Sequence, residues 1–304
     1  IVFAGHAERY SRIKNDPYLN HELIADALKH GLPDVIVLHE SSQLKNSRRL
    51  KQFTWPSIKA ALTEITAEQW IRKFYPELAG IPISHTKHHE SHAGAGIMTS
   101  TFNESAIMTI DAIGEFQTAT IYHYDKYATD TLTLKHQTKF PNSLGLFYSA
   151  VTHAVGLKPM EDEYVLMGMA AYGKPIYADK INNELFKHAE VTNKNLHECL
   201  HTVNMSKGLP KNFMSKTNLK KEQVQFDLAA SAQQVCEQRI MSYATLAKRL
   251  TNSNNLVFMG GCALNCVANS SLYKIFSGLH IMPNPGDAGS SLGAAALYNY
   301  YNTL

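Results

Sequence analysis

His88-His89-Glu90-Ser91-His92-Ala93-Gly94-Ala95-Gly96 follows directly on Ile81-Pro82-Ile83-Ser84-His85-Thr86-Lys87, and the join between the two decides how the chain is read. The first stretch reads as a strand. The second opens a small-residue helix expected to run to about Thr101. The histidines therefore sit where a strand ends, the usual position for ligands in open α/β sheets. On a helix, His88 and His92 stand four residues apart on one face, about 5–6 Å between Cβ atoms, so both imidazoles can grip one divalent ion. Two imidazoles do not complete a site. A third or fourth ligand, often a carboxylate, must come from elsewhere in the chain.

Working outward, Asp34 to His39 reads as a strand whose Val35-Ile36-Val37-Leu38 is apolar at every step, as in a parallel strand covered on both faces. Asn20 to His30, Trp55 to Ile65 and Ala67 to Phe74 have helical spacing. Ile1 to Ala4 looks like a strand already under way, without a Met, so the sequence is expected to have lost its true start. From Glu104 the pattern restarts with three successive strands, Ala106 to Asp111, Thr118 to Tyr124 and Leu132 to Phe140, as a meander turning first at Ala112-Ile113-Gly114-Glu115. Helices are expected at Ser143 to Val155, Glu161 to Ala171, Ala178 to Glu190 and Glu222 to Leu250. After them come a strand Leu256 to Met259, a helix through Asn269, a short strand near Leu279 to Met282 and a helix from Asp287 to about Tyr301. Residues 191–221 are polar and turn-rich, and no element is assigned there.

At 304 residues the chain is long enough for one large domain or two lobes. Its 29 Lys and Arg against 26 Asp and Glu leave a net charge of +3 with scattered positions, so neither a nucleic-acid nor a membrane partner is expected. The densest basic runs, Lys45 to Lys51 and Lys216 to Lys221, read as solvated faces. Four irregularly spaced cysteines argue against a disulfide framework and for a reducing, cytoplasmic setting. No apolar run approaches the roughly 20 residues that span a bilayer.

Asp111 ends an apolar strand and enters a glycine turn, where it either caps the turn or presents a carboxylate at the mouth of a cleft. Asp287, in Pro283-Asn284-Pro285-Gly286-Asp287-Ala288-Gly289-Ser290, precedes a small-residue helix and is either an N-cap or part of a ligand site. Gly260-Gly261-Cys262-Ala263-Leu264-Asn265 follows a strand and opens a helix; the glycine pair either lets backbone approach a phosphate or serves tight helix packing. Cys262 and Cys266 read as small buried hydrophobes, and His197-Glu198-Cys199-Leu200-His201 is not read as a metal site. Tyr148, Thr152, Glu163 and Tyr172 are either cleft polar groups or structural residues.

In order along the chain, Glu8-Arg9-Tyr10-Ser11-Arg12-Ile13-Lys14, His88-His89 with His92-Ala93, Asp111 with Gly114-Glu115, Ser143-Leu144-Gly145 with Tyr148, Met167-Gly168 with Tyr172-Gly173, Gly260-Gly261 with Ala263-Leu264-Asn265, and Pro283 with Gly286-Asp287 and Gly289 resemble the O-carbamoyltransferase family of the nodulation, tobramycin and cephamycin type. The resemblance implies an α/β, actin-like ATPase (ASKHA) fold, two lobes around a nucleotide cleft. Residues 1–104 would form the first lobe, its first strand missing, and 105–304 the second, without the YrdC-like domain that usually follows. It implies a divalent metal, usually iron, held by His88, His92, Asp111 and Asp287. Gly260, Gly261, Asn265 and Gly289 would line the adenylate, Lys14 would reach toward the phosphate or carbamoyl group, and His89 would assist in proton handling. The implied reaction joins carbamoyl phosphate and ATP as carbamoyladenylate and passes the carbamoyl group to a hydroxyl of a small acceptor. A related reading is a tRNA threonylcarbamoyl transferase, and a third is a silent metal- and nucleotide-binding subunit. Ala7, Ala112 and Ala171 depart from the family pattern; so does Val165, which replaces a usual lysine and leads us to expect that the chain binds carbamoyladenylate without making it.

Overall fold

The computed structural model describes residues 1–14, 16, 18–51, 59, 61–187 and 192–302. Its strands are β1 (Ile36–Leu38), β2 (Ile83–His85), β3 (Glu104–Gly114), β4 (Gln117–Asp125), β5 (Leu132–Lys139), β6 (Asn255–Met259) and β7 (Gly278–His280). The α-helices are α1 (Ala7–Ser11), α2 (His21–Leu28), α3 (Ser42–Lys51), α4 (Ala67–Phe74), α5 (His88–Thr99), α6 (Leu144–Ala154), α7 (Glu163–Met169), α8 (Ala178–Leu185), α9 (Lys216–Leu219), α10 (Glu222–Thr251), α11 (Cys266–Asn269) and α12 (Asp287–Asn302). The molecule is mixed α/β. A five-stranded sheet runs in the order β5-β4-β3-β6-β7, and β1 and β2 form a separate parallel pair.

In the large sheet β3 is central. It pairs antiparallel with β4 and parallel with β6, so the meander continues into a parallel crossover carried by α10. Alternate residues of β3 serve opposite faces, as a two-residue period requires. Met108 and Ile110 enter a core with Phe147 of α6 and Ile240 and Tyr243 of α10, while Ile107 packs with Ala93, Ala95, Val257 and Met259 on the other face. Each such side chain contributes about 1.5–3 kcal/mol when fully removed from water. The β1–β2 pair has its own small cluster, built on Ile71, Tyr75 and Leu78 with Ile36, Leu38 and Ile83 against them.

Several expectations change. Ile1 to Ala4 forms no strand: it pairs with nothing among the described residues, and Ile1 and Val2 stand exposed, because an apolar run becomes a strand only where a neighbour takes its hydrogen bonds. β1 is parallel as read, but only half-buried. β3 runs on through Asp111 to Gly114, with a register shift between Ile110 and Gly114, and the hairpin turns at Glu115 instead. The helix read from Ala178 to Glu190 stops at Leu185. The helix read through Asn269 breaks into a 3-10 turn, Gly261–Leu264, and α11, because Asn265 caps the second piece through Ala268 N. Residues 192–221 are not loose: Leu196, Cys199, Leu200, Met205 and Phe213 join the main core. Cys266 is exposed and Cys262 half-buried, since the break at Asn265 turns the segment outward. Of the helix read from Trp55 to Ile65, residues 55–58 and 60 lie outside the described residues; 59 and 61–63 are helical. Ala67–Phe74 forms as read, closed by a capping box between Thr66 and Gln69. No helix among the described residues is long and apolar enough to cross a membrane.

The contact that positions everything else is the crossing of α5 and α12. A Cβ built on Gly293 would lie 1.8 Å from the carbonyl oxygen of Ser91, and one on Gly94 would lie 2.7 Å from that of Gly293. Backbone meets backbone here, closer than the about 8–10 Å between axes of ordinary helix pairs requires. Gly293→Ala would gain up to about 1 kcal/mol of helix propensity. The clash is with main chain and cannot be relieved by a rotamer, so a net loss of about 1–3 kcal/mol is expected. A lowered Tm in calorimetry checks this; an unchanged or raised Tm would show that the crossing is looser than described.

Candidate metal centre

Four side chains from three segments converge. His88 and His92 come from the first turns of α5, Asp111 from the irregular part of β3, and Asp287 from the first turn of α12, brought over the histidines by the Gly94–Gly293 crossing. His88 Nε2 and His92 Nε2 are 3.1 Å apart. Each lies 3.2 Å from Asp111 Oδ2 and 3.3 Å from Asp287 Oδ1. With metal–ligand bonds of about 2.0–2.2 Å, neighbouring ligand atoms stand about 3.0–3.5 Å apart, so one ion fits among these atoms without rebuilding the site. Two imidazole nitrogens and two carboxylate oxygens suit iron, zinc or manganese.

The local sequence explains the aim of each group. The register shift after Ile110 takes Asp111 out of the β4 ladder, and Ala112 N donates to Asp111 Oδ1 at 2.8 Å, leaving Oδ2 to face the histidines. A Cβ on Gly114 would fall 2.1 Å from His88 Cδ2, so the strand's last residue must be glycine for the ring to lie flat against it. His88, His92 and Asp111 are buried, whereas the Asp287 side chain is 63 % exposed and forms the open edge of the site.

Burial opposes charge on both histidines, but the carboxylates outweigh it: Asp111, Asp287 and Glu40 raise His88 well above the usual imidazole range, and Asp111 and Asp287 raise His92. Burial likewise pushes Asp111 upward, and the two histidines hold it far below the carboxylate range. Asp287 is also lowered, by His88 and His92 against burial and Asp111. His89 differs. It is fully buried, its Nδ1 lies 3.0 Å from Thr120 Oγ1, and burial and the neighbouring His88 push its pKa well down. Its ring turns away from the cluster, toward β4.

Beside Asp111 lies a cavity of about 360 Å³ lined by Lys14, Tyr148, Glu163, Gly261 and Asn265 among others, within the usual size of a small-molecule site. Lys14 reaches it, with Nζ donating to the Glu161 carbonyl at 2.6 Å and lying over the Tyr164 ring. Asn265 exchanges amide hydrogen bonds with Gln233, which also accepts from Tyr148. Glu163 accepts from Ser149 Oγ and from Met160 N. Thr152 bonds back to its own helix at Tyr148, and Tyr172 is exposed at the surface. Gly260, at φ 90°, packs on β3, where a Cβ would meet the Ile110 carbonyl at 2.3 Å; Gly289 packs against Asn284. Neither lines the cavity. Among the described residues His197–His201 joins no group of metal-ligating side chains.

Sequence reading missed a second group, His39 and Glu40, which stands on the far side of the His88 ring. The signal was present: both residues follow the apolar run of β1, at the strand end where ligands gather. Glu115 was also passed over. It is buried and accepts from Ser41 N at 2.8 Å, tying this segment to the β3–β4 turn. Gly114→Ala is expected to rotate the His88 ring and weaken metal binding about 10–100-fold, the range for disturbing a ligand's support. Titration with Co²⁺ checks it; unchanged affinity would contradict the packing account.

The chain is 29% identical over 97% of its length to sll1178, an uncharacterized protein of Synechocystis sp., covering 53% of that protein. It is 28% identical over 98% of its length to the nodulation protein NolNO of Sinorhizobium fredii, covering 44% of it. The chain thus spans about half the length of the curated relatives it matches. Among solved structures, T. kodakarensis HypF aligns with 93% of this chain and 42% of its own at 12% identity, with a TM-score of 0.46. The family described as Carbamoyltransferase N-terminus matches residues 2–296, and the chain belongs to it.

Proposed function

We propose that this chain is the metal-binding, group-transferring part of an O-carbamoyltransferase, passing a carbamoyl group from carbamoyladenylate, made from carbamoyl phosphate and ATP, to a hydroxyl of a small acceptor. The observation that carries the reading is the convergence of His88, His92, Asp111 and Asp287 beside a ligand-sized cavity. An iron or similar divalent ion held by these four would act as a Lewis acid, polarising the carbamoyl carbonyl or lowering the pKa of the acceptor hydroxyl.

The chain's own groups supply the rest. Asp287 leaves the site open on one edge, the direction from which an acceptor would approach. Gly261 leaves room beside Asp111, where a Cβ would lie 3.0 Å from Oδ1, and this favours a ligand lying along the 3-10 turn toward Asn265. The Gln233–Asn265 amide pair and the Ser149–Glu163 pair offer directed hydrogen bonds in a mostly apolar cavity, which suits a base and ribose better than a bare phosphate. Lys14 is the cation at the rim and would release Glu161 to meet phosphate or carbamoyl oxygen. We assign formation of the adenylate to a YrdC-like unit, because Val165 stands where the family's usual lysine would add a second positive charge. On this reading the two-lobed actin-like arrangement, divided at 104/105, is the frame of the cleft. The buried His89 serves packing and its bond to Thr120.

Removing His88 or His92 as alanine should abolish metal binding and lower carbamoyl transfer from supplied carbamoyladenylate by more than the about 10–100-fold that loss of an outer partner costs. Transfer that survives both substitutions would reject the metal reading.

A pH dependence follows from the raised histidines. In the metal-free chain their pairing stabilises the fold fully below the ordinary imidazole value of 6.5, and is lost as pH rises through their higher folded values. The lowered Asp111 and Asp287 contribute above the ordinary 3.8 and lose that contribution as pH falls through their folded values. An ion must displace the imidazole protons, so metal binding at neutral pH should release protons and strengthen as pH rises. Calorimetric titration in buffers of different ionisation enthalpy measures this; a proton count of zero would mean the histidines are already neutral.

A further inference from the structure

His88 has two ring nitrogens, and only Nε2 faces the ligand cluster. For Nε2 to offer its lone pair to an ion, the neutral ring must carry its proton on Nδ1. That nitrogen is buried and has no hydrogen-bond partner in the described structure. An unmet buried N–H costs about 1–3 kcal/mol, enough to favour the wrong tautomer. Across from it stands Glu40, its Oε2 3.6 Å from His88 Nδ1, the one ion-pair contact that Nδ1 makes among the described residues.

The surroundings favour an orienting role for Glu40. Its other oxygen pairs with Lys45 Nζ, so the carboxylate is held in place and its charge is balanced. The segment that carries it is anchored by the Ser41 N–Glu115 bond, and the opposite side of the His88 ring is closed by Gly114. The remaining freedom of the ring is a small tilt toward Glu40. Closing the gap to hydrogen-bond range takes about 0.6 Å. His39, whose ring centroid lies 5.6 Å from that of His88, flanks the pair.

We propose that Glu40 is a positioning residue of the metal centre: it accepts a hydrogen bond from His88 Nδ1 and so fixes the imidazole as the tautomer whose Nε2 is bare toward Asp111 and Asp287. The inference rests on the metal reading above and deepens it. Lys45 acts one step further out, holding the carboxylate that holds the ring. Such outer partners commonly change metal affinity 10–100-fold, roughly, without touching the ion. The Glu40 and Lys45 side chains are 19% and 36% exposed, so replacing Glu40 leaves Lys45 in reach of water, and the buried His88 keeps Asp111 and Asp287 as charge partners.

The test uses Co²⁺, whose d–d absorption reports ligand geometry, with the unaltered chain, Glu40→Ala, Glu40→Gln and His88→Ala, each first shown to be folded by a cooperative metal-free melting transition. The unaltered chain should bind one Co²⁺. Glu40→Ala should bind it about 10–100-fold more weakly with shifted d–d bands. Glu40→Gln, which keeps an acceptor oxygen, should recover part of the affinity and the original bands. Glu40→Ala with unchanged affinity and spectrum, beside a His88→Ala that no longer binds, would overturn the role of Glu40 and leave the metal reading standing. Two Co²⁺ per chain, the second lost in Glu40→Ala, would also overturn it, because Nδ1 would then be a ligand to a second ion in the His39–Glu40–His88 group. No binding by the unaltered chain would overturn the metal reading and this inference with it.

Discussion

The backbone contact between α5 and α12 is the constraint on which the site depends. His88 and His92 are four residues apart in sequence, and Asp287 is about two hundred residues away; they meet because Gly94 and Gly293 let the backbones of two helices approach each other directly. α5 is tied in turn to the central sheet through Ala93 and Ala95, which share a core with Ile107 and Val257. The strand that supplies Asp111 therefore lies beneath the helix that supplies the histidines, and α12 closes over both. Glycine at 94 and 293 is what the geometry requires: a side chain at either position would meet the backbone of the facing helix and push Asp287 away from the imidazoles.

That packing brings together groups that would not otherwise gather. Two carboxylates and two imidazoles with ligand atoms near 3 Å apart are tolerable without an ion only if the histidines hold protons, and the carboxylates hold them there against the pull of burial. Such an arrangement has room for protons or for one metal ion in the same space. The charge is balanced on the outside as well: Glu40 faces the back of His88 and is itself matched by Lys45. His89, one residue away in sequence, lies on another face of the same helix and makes an ordinary buried hydrogen bond.

Much of this was legible in the sequence. The i, i+4 spacing of His88 and His92, the apolar runs of β3 and β6 and the long α10 all formed close to where the sequence pattern placed them, because each depends on local pattern. What sequence could not show depends on distant partners. Ile1 to Ala4 has the composition of a strand and, among the described residues, no strand to pair with. The shift after Ile110, which frees Asp111 from the ladder, follows from how β3 meets β4. Residues 196–213 are polar on average, yet five scattered apolar side chains find the core. Asp111 and Asp287 each had an ordinary local explanation, and only their convergence with the histidines separates them from a turn residue and a helix cap. Glu40 stands at a strand end, where ligands gather, but only the folded chain shows that it faces His88.

The central claim is that one ion sits among His88, His92, Asp111 and Asp287 and faces a bound carbamoyladenylate. The most direct measurement is a crystal of this chain soaked with iron and a non-hydrolysable carbamoyladenylate mimic, with anomalous data collected on both sides of the iron edge. A single anomalous peak about 2.0–2.2 Å from the four ligand atoms, with the mimic's carbamoyl end beside it and its adenosine in the cavity toward Asn265, is the expected result. A peak elsewhere, or a mimic bound away from the four side chains, would contradict the account.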